Sequence, residues 1–227
     1  MIRGLLLDLD GTLIHSEPVA ARALSEVLAR YGHRLELEQA DAVIGRTWQA
    51  ALKILDHRLP ATIGRQELLE EVLQLYRLKL STEVAEVPGA AEAVRRLSKD
   101  FTIAVVSGSY RDEIEQALQG LGVRREVSLV LGAEDYPRSK PEPDGYLLAL
   151  KRLGYHAGEV LVFEDSEPGM ASGLAAGARV VAVTHCRSVP EDSPWLLRAH
   201  HLIENWNGVD EAYIRKLTAA SRLSSEE

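Results

Sequence analysis

The residues able to do chemistry fall in four short stretches. Asp8-Leu9-Asp10-Gly11-Thr12 sets two carboxylates two residues apart ahead of a glycine. Ser107-Gly108-Ser109 offers hydroxyls beside an unencumbered backbone, Lys140 precedes Pro141, and Glu164-Asp165-Ser166 adds two further acids. Carboxylates gathered at close range cannot all stay ionised cheaply, because like charges raise each other's pKa. A cation must join any site built from them. Hard carboxylate oxygens with no histidine or cysteine among them suit Mg²⁺, which takes a few protein oxygens and completes its shell with water and substrate phosphate.

Each stretch follows a short apolar run, which is how it would be positioned. Residues 2–9 (IRGLLLDL) read as a strand buried on both faces, and so do Phe101 to Val106, Val127 to Leu131, Val160 to Phe163 and Val180 to Val183. Helical patterns separate the later runs, from Ala91 to Leu97, Tyr110 to Leu121, Pro143 to Leu153 and Pro168 to Ala176, and a last helix is expected near Val209 to Leu223. Short apolar strands alternating with helices predict an α/β fold with a parallel sheet, since parallel neighbours need crossover connections. Ligands of such a sheet gather at the carboxyl ends of its strands, where all four polar stretches lie.

Between the first strand and the rest, residues 17–81 change texture. Leu24, Val27, Leu28 and Tyr31 can share one helix face, as can Leu68, Leu69, Val72, Leu73 and Tyr76, and Gly32, Gly45, Pro60 and Gly64 divide the segment into about four helices. The economical architecture is an α/β core of residues 1–15 and 86–227, with an all-helical cap of residues 16–85 inserted after the first strand.

Taken singly, the stretches have plainer readings. Asp-x-Asp-Gly can be merely a turn, and Ser109 with Asp112 three residues on can be a helix cap. A lysine beside proline is ordinarily a solvated loop residue, and acids ahead of Pro168 suit a helix start.

Together they are more telling. Asp8 to Ser16 (DLDGTLIHS), Ser107-Gly108, Lys140-Pro141 and Phe163 to Ser166 (FEDS) resemble, in order, the four motifs of the haloacid dehalogenase-like phosphohydrolase superfamily. The likeness is to the branch of phosphoglycolate phosphatase and β-phosphoglucomutase with a helical cap, and it runs from Ile2 to about Val183. It implies a Rossmann-like core in which Asp8 is the nucleophile that takes the phosphoryl group as an aspartyl-phosphate. Asp10 would protonate the leaving alcohol and then deprotonate water, which requires a proton on it in the first step. The resemblance further implies that Asp8, the Asp10 main-chain carbonyl and Asp165 ligate Mg²⁺, with Glu164 a second or water-mediated ligand. Ser107, the Gly108 N–H and Lys140 would hold the phosphoryl oxygens, and Gly11 and Thr12 would shape the turn that brings backbone donors to the same group. His15 stands in the hinge where the family often has an acid, so cap closure could respond to pH near neutrality.

Substrate choice belongs to the cap. Gly45-Arg46-Thr47-Trp48 interrupts the helical pattern, and Arg46 could pair with a second anionic group on the substrate. Arg77, Lys79, Tyr110 and Arg111 are further candidates, while Cys186, Trp195 and Trp206 lie outside every motif and read as packing residues.

Composition narrows the partners. The chain carries 26 basic and 34 acidic residues, a net charge of −8, so nucleic acid and anionic membrane are not expected partners. One cysteine forms no internal disulfide, and the amino terminus lacks a secretion-signal pattern, which points to the cytoplasm. The expected partner is a small phosphorylated metabolite, handled by a monomer or weak dimer. Three functions compete: a Mg²⁺-dependent phosphatase, a sugar-phosphate mutase using the same aspartyl-phosphate, and a catalytically silent binding module. Asp10 argues against the dehalogenase and phosphonatase branches, which do not present an acid there. Asp8, Asp10, Lys140 and Asp165 are all present, against a silent module. No G-x-x-x-x-G-K-[ST] loop occurs for ATP-driven work.

Overall fold

The structure, a computed structural model, describes residues 1–34, 64–83, 85–186 and 189–220. A parallel sheet of six strands forms the centre: β1 (Gly4–Leu7), β4 (Thr102–Val106), β5 (Val127–Leu131), β6 (Val160–Glu164), β7 (Arg179–Val183) and β8 (His201–Ile203), in the order β5-β4-β1-β6-β7-β8. Chain direction across the sheet reverses at β1, which lies between β4 and β6. Leu7 stands in register with both Val105 and Phe163, so Asp8, Val106 and Glu164 come level at the strand ends. This is the switch point at which an open α/β sheet leaves a crevice.

Alternation along the strands builds a core on each face. Leu5, Leu7, Ile103, Val105, Leu161, Phe163, Val181 and Val183 face α3 (Ala90–Leu97), α4 (Arg111–Gly120) and α8 (Glu211–Ala220). Leu6, Ala104, Val106, Val160, Val162, Val180 and Ala182 face α5 (Asp144–Leu153) and α6 (Glu167–Ala175). Every strand expected from sequence is present, though β1 is four residues long and gives way to a turn at Asp8. β8 and the five-residue helix α7 (Pro194–Arg198) were not foreseen, and neither was a short antiparallel strand pair at the base of the insertion. Residues 201–203 carry the polar His201 and the exposed Leu202, so this edge strand lacks the continuous apolar run of a central one.

The inserted segment leaves and rejoins the core through a two-stranded antiparallel ribbon, β2 (Ile14–His15) with β3 (Ala85–Glu86). Its described helices are α1 (Glu17–Arg30) and α2 (Arg65–Thr82), which bury Leu24, Val27, Leu28, Leu68 and Val72 against each other. Tyr31 and Leu69 are only partly buried at the margin of that cluster. Lys79, buried on α2, joins α1 through Glu26 at 2.8 Å and its own helix through Glu83 at 3.1 Å. α2 also packs on α4 of the core. The expected helices across residues 35–63 lie outside the described residues. Among the described residues no helix is long and apolar enough to cross a membrane.

Candidate active site

The four polar stretches meet at one edge of the sheet. Beyond β1, the Asp8 amide donates to the Phe163 carbonyl at 3.0 Å, and a tight turn closes through Leu13 N–H to Leu9 carbonyl at 2.8 Å and Gly11 N–H to Ile14 carbonyl at 2.7 Å. Gly11 has φ of 80°. A Cβ there would lie 1.9 Å from Asp165 Oδ2, so glycine is needed both for the backbone and for the close approach of the acid.

Lys140 gathers the acids. Its ammonium contacts the Asp8 carboxylate, reaches Glu164 Oε1 at 2.5 Å and donates to the Val106 carbonyl at 3.0 Å. Asp8, Glu164 and Asp165 are all buried, and each offers an oxygen within 4.8 Å of the others. Burial pushes the Asp8 carboxyl well above the usual range; Lys140 opposes this, while Glu164, Asp165 and Asp10 add to it. Burial disfavours the charged Lys140, but Asp8 and Glu164, with Tyr146, outweigh it and hold the ammonium well above its ordinary value. One ammonium among so many carboxylates leaves the cluster short of positive charge. A hard divalent cation on Asp8, Asp165 and Glu164 fits that donor set and that deficit.

Asp10 is held separately. Its carboxylate accepts from the Ser109 hydroxyl at 2.8 Å and the Ser107 hydroxyl at 3.4 Å. Ser109 therefore does not cap the following helix as the sequence suggested. α4 starts two residues later, and it is Glu113 that accepts the Tyr110 amide at 3.1 Å. Ser107 is fixed from all sides: its amide donates to Leu131, its hydroxyl accepts the Ser109 amide at 3.0 Å, and its carbonyl accepts the Tyr136 hydroxyl at 2.7 Å. Gly108 is exposed and a Cβ on it would meet only open space, so its glycine leaves the loop uncovered at the site mouth. Thr12 is fully buried, and its hydroxyl has no hydrogen-bond partner among the described residues. Ser166 starts α6 as its stretch suggested, capping it at the Gly169 amide (3.1 Å), and it also donates to Glu164 Oε2 at 3.2 Å.

Residues 5–183 match the family of haloacid dehalogenase-like hydrolases. The chain belongs to that family. Over 204 residues this hydrolase is 32% identical to the bifunctional riboflavin kinase/FMN phosphatase of Arabidopsis thaliana, a match that takes in 88% of the chain and 52% of the plant protein. It thus spans about half the length of that relative. To the fructose-1-phosphate phosphatase YqaB of Escherichia coli it is 32% identical over 181 residues, 79% of the chain and 95% of the relative. Its fold is similar to the crystal structure of β-phosphoglucomutase from Clostridium difficile, with a TM-score of 0.73 at 18% identity, covering 98% of this chain and all of that one.

Two residues that the motifs did not mark also reach this part of the fold. Tyr146, fully buried on α5, donates to Glu164 Oε1 at 2.6 Å, and the indole of Trp206 donates to the Thr12 carbonyl at 2.7 Å. A buried tyrosine or tryptophan needs a polar partner, which was the available signal for both. Trp206, read from sequence as packing only, is therefore also a hydrogen-bond donor to the turn that follows Asp8. Among the cap candidates, Arg77 pairs with Asp112 of α4 at 3.1 Å and Lys79 is spent within the cap. Arg111 Nη2 donates to both Asp135 carboxylate oxygens at 2.6 and 2.7 Å and Nη1 to the Val130 carbonyl at 2.9 Å, so its charge is used inside the core. His15 lies in β2 with Nε2 3.1 Å from Glu17. Arg46 and Trp48 lie outside the described residues.

Proposed function

We propose that this chain is a Mg²⁺-dependent phosphatase that hydrolyses a small phosphorylated metabolite, such as a sugar phosphate or phosphoglycolate, through an aspartyl-phosphate on Asp8. The observation that carries the reading is the meeting of Asp8, Lys140, Glu164 and Asp165 at one strand edge, with Asp10 held alongside by two serines. Asp8, Asp165 and Glu164, with the Asp10 main-chain carbonyl that the family resemblance implies, would hold the metal. When bound it supplies charge that offsets the phosphoryl oxygens and keeps the Asp8 carboxylate ionised.

Asp8 attacks phosphorus as the bond to the leaving oxygen breaks, and Asp10 gives that oxygen its proton. Asp10, now ionised, takes a proton from water, whose oxygen attacks the same phosphorus and releases phosphate and free Asp8. Lys140, tied to Asp8, stays charged and faces the transferring group; Ser107 and the Gly108 amide take its oxygens, as electrostatic stabilisation of phosphoryl transfer requires. The core residues touch only the phosphoryl end, so selection of the remainder falls to the inserted segment. The sugar-phosphate activity named for the Escherichia coli relative supports that substrate class.

The test is phosphate release from a panel of sugar phosphates, polyol phosphates, phosphoglycolate and nucleotides with Mg²⁺, beside EDTA and Asp8→Asn controls. Release abolished by both controls is expected. Isomerisation of a hexose 1-phosphate without net release would assign the mutase instead.

A further inference from the structure

Trp206 stands in the loop before α8, 40 residues past Ser166, yet it touches the nucleophile turn. Its indole Nε1–H donates to the Thr12 carbonyl at 2.7 Å, and its ring lies against Phe163 with centroids 4.8 Å apart. The amide of the same residue donates to the Pro88 carbonyl at 3.0 Å. Pro88 follows β3, the strand by which the inserted segment returns, and its neighbour Val87 donates from its amide to the Leu13 carbonyl at 2.9 Å. One fully buried residue thus grips both the turn that bears Asp8 and Asp10 and the chain that closes the insertion.

The peptide between Thr12 and Leu13 is pinned at both ends, its carbonyl by Trp206 and its N–H by the Leu9 carbonyl at 2.8 Å. The grip on the return chain is equally close. A Cβ on Gly89 would fall 2.7 Å from Asn207 Oδ1 and 3.1 Å from the Trp206 carbonyl carbon, leaving no room for any side chain at that point. A phenylalanine would serve the apolar contact with Phe163; the indole N–H is what packing alone does not require.

We propose that Trp206 is a positioning residue for phosphoryl transfer: by fixing the Thr12 carbonyl and the Pro88 carbonyl together, it sets the nucleophile turn relative to the base of the inserted segment. The proposal rests on Asp8 being the phosphoryl acceptor, as read above. A turn stabilises a transferring phosphoryl group only if its peptide planes are held before the group arrives, and small misplacements there cost far more in rate than in binding. Without the donor, the Thr12 carbonyl is left buried and unpaired, and the turn is held at one end only.

Trp206→Phe keeps the ring and removes the N–H. On a substrate that the wild type hydrolyses, kcat is expected to fall about 10-fold with KM within about threefold. A second readout needs no variant to turn over. In the ¹H–¹⁵N spectrum of the wild type, the Trp206 indole resonance, identified by its absence from Trp206→Phe, is expected to move when inorganic phosphate and Mg²⁺ are added, while that of Trp195 stays put. Turnover by Trp206→Phe within twofold of wild type, or a Trp206 resonance that ignores saturating phosphate and Mg²⁺, would overturn the assignment alone. A wild type that releases no phosphate from any substrate would overturn the phosphatase reading and this assignment with it.

Discussion

The Tyr146 hydroxyl donates to Glu164 Oε1 at 2.6 Å, on the same oxygen that the Lys140 ammonium reaches at 2.5 Å. Two donors from separate elements thus aim one fully buried carboxylate, and Ser166 holds its other oxygen at 3.2 Å. Partners of this kind orient a metal-ligating acid, and their loss commonly weakens metal binding by about 10-fold or more. Tyr146→Phe is expected to raise the Mg²⁺ dissociation constant by about that factor, measured by calorimetric titration of the substrate-free protein. It should also lower stability by roughly 1.5–3 kcal/mol, the usual cost of removing a buried hydrogen bond to a charged group. An unchanged Mg²⁺ affinity would show that Tyr146 only packs.

Gly169, on the first turn of α6, predicts a reversal of an ordinary sign. Glycine to alanine within a helix normally stabilises by about 1 kcal/mol. Here a Cβ would fall 1.9 Å from the Glu164 carboxyl carbon. Gly169→Ala is therefore expected to destabilise by about 1–3 kcal/mol in denaturant titration, as overpacking does, and to lose activity because Glu164 must move away from Lys140. A variant more stable than wild type would contradict this packing.

Glu113 predicts a pH dependence of stability. It is buried on α4, and burial raises its carboxyl from 4.5 to about 7; the Tyr110 amide and Arg77 oppose the rise, while Asp112 and Asp10 add to it. A carboxyl held protonated by the fold stabilises fully below its unfolded value, and that contribution fades as pH rises through the folded one. The loss therefore runs between about pH 4.5 and 7. Glu113→Gln keeps an acceptor for the Tyr110 amide and cannot ionise. It is expected to match wild type near pH 5 and to exceed it at pH 8 by on the order of 2 kcal/mol, read from urea unfolding at the two pH values. A variant less stable at pH 8 would mean that the ion pair with Arg77, 3.7 Å away, outweighs burial.

What the sequence disclosed follows from which signals are local. Asp8, Ser107, Lys140 and Glu164 each follow an apolar run or sit in the loop after one, so the strand pattern alone brought them to one sheet edge. Ser109 was misread because a helix start is uncertain by a residue or two, and that shift decides whether its hydroxyl caps a helix or meets Asp10. Tyr146 and Trp206 were hidden for another reason. Periodicity marks a residue as buried and says nothing of where its polar tip ends, and each meets its partner across the tertiary fold, Trp206 from 194 positions along the chain. β8 carries too few apolar residues to be told from a loop. Arg77 and Lys79 read as open-ended helix charges, yet their partners Asp112 and Glu26 lie on other helices.

Whether Asp8 takes the phosphoryl group is decided by capturing the aspartyl-phosphate itself. Asp10→Asn cannot activate the water that clears Asp8, so it is mixed with Mg²⁺ and a phosphate ester whose leaving group needs no proton, quenched in acid, and examined by intact and peptide mass spectrometry. A gain of one phosphoryl group is expected, mapped to the peptide containing Asp8 and absent from a variant that also carries Asp8→Asn. An unmodified Asp8 under conditions where the wild type releases phosphate would mean that water attacks the substrate directly and that no aspartyl-phosphate forms.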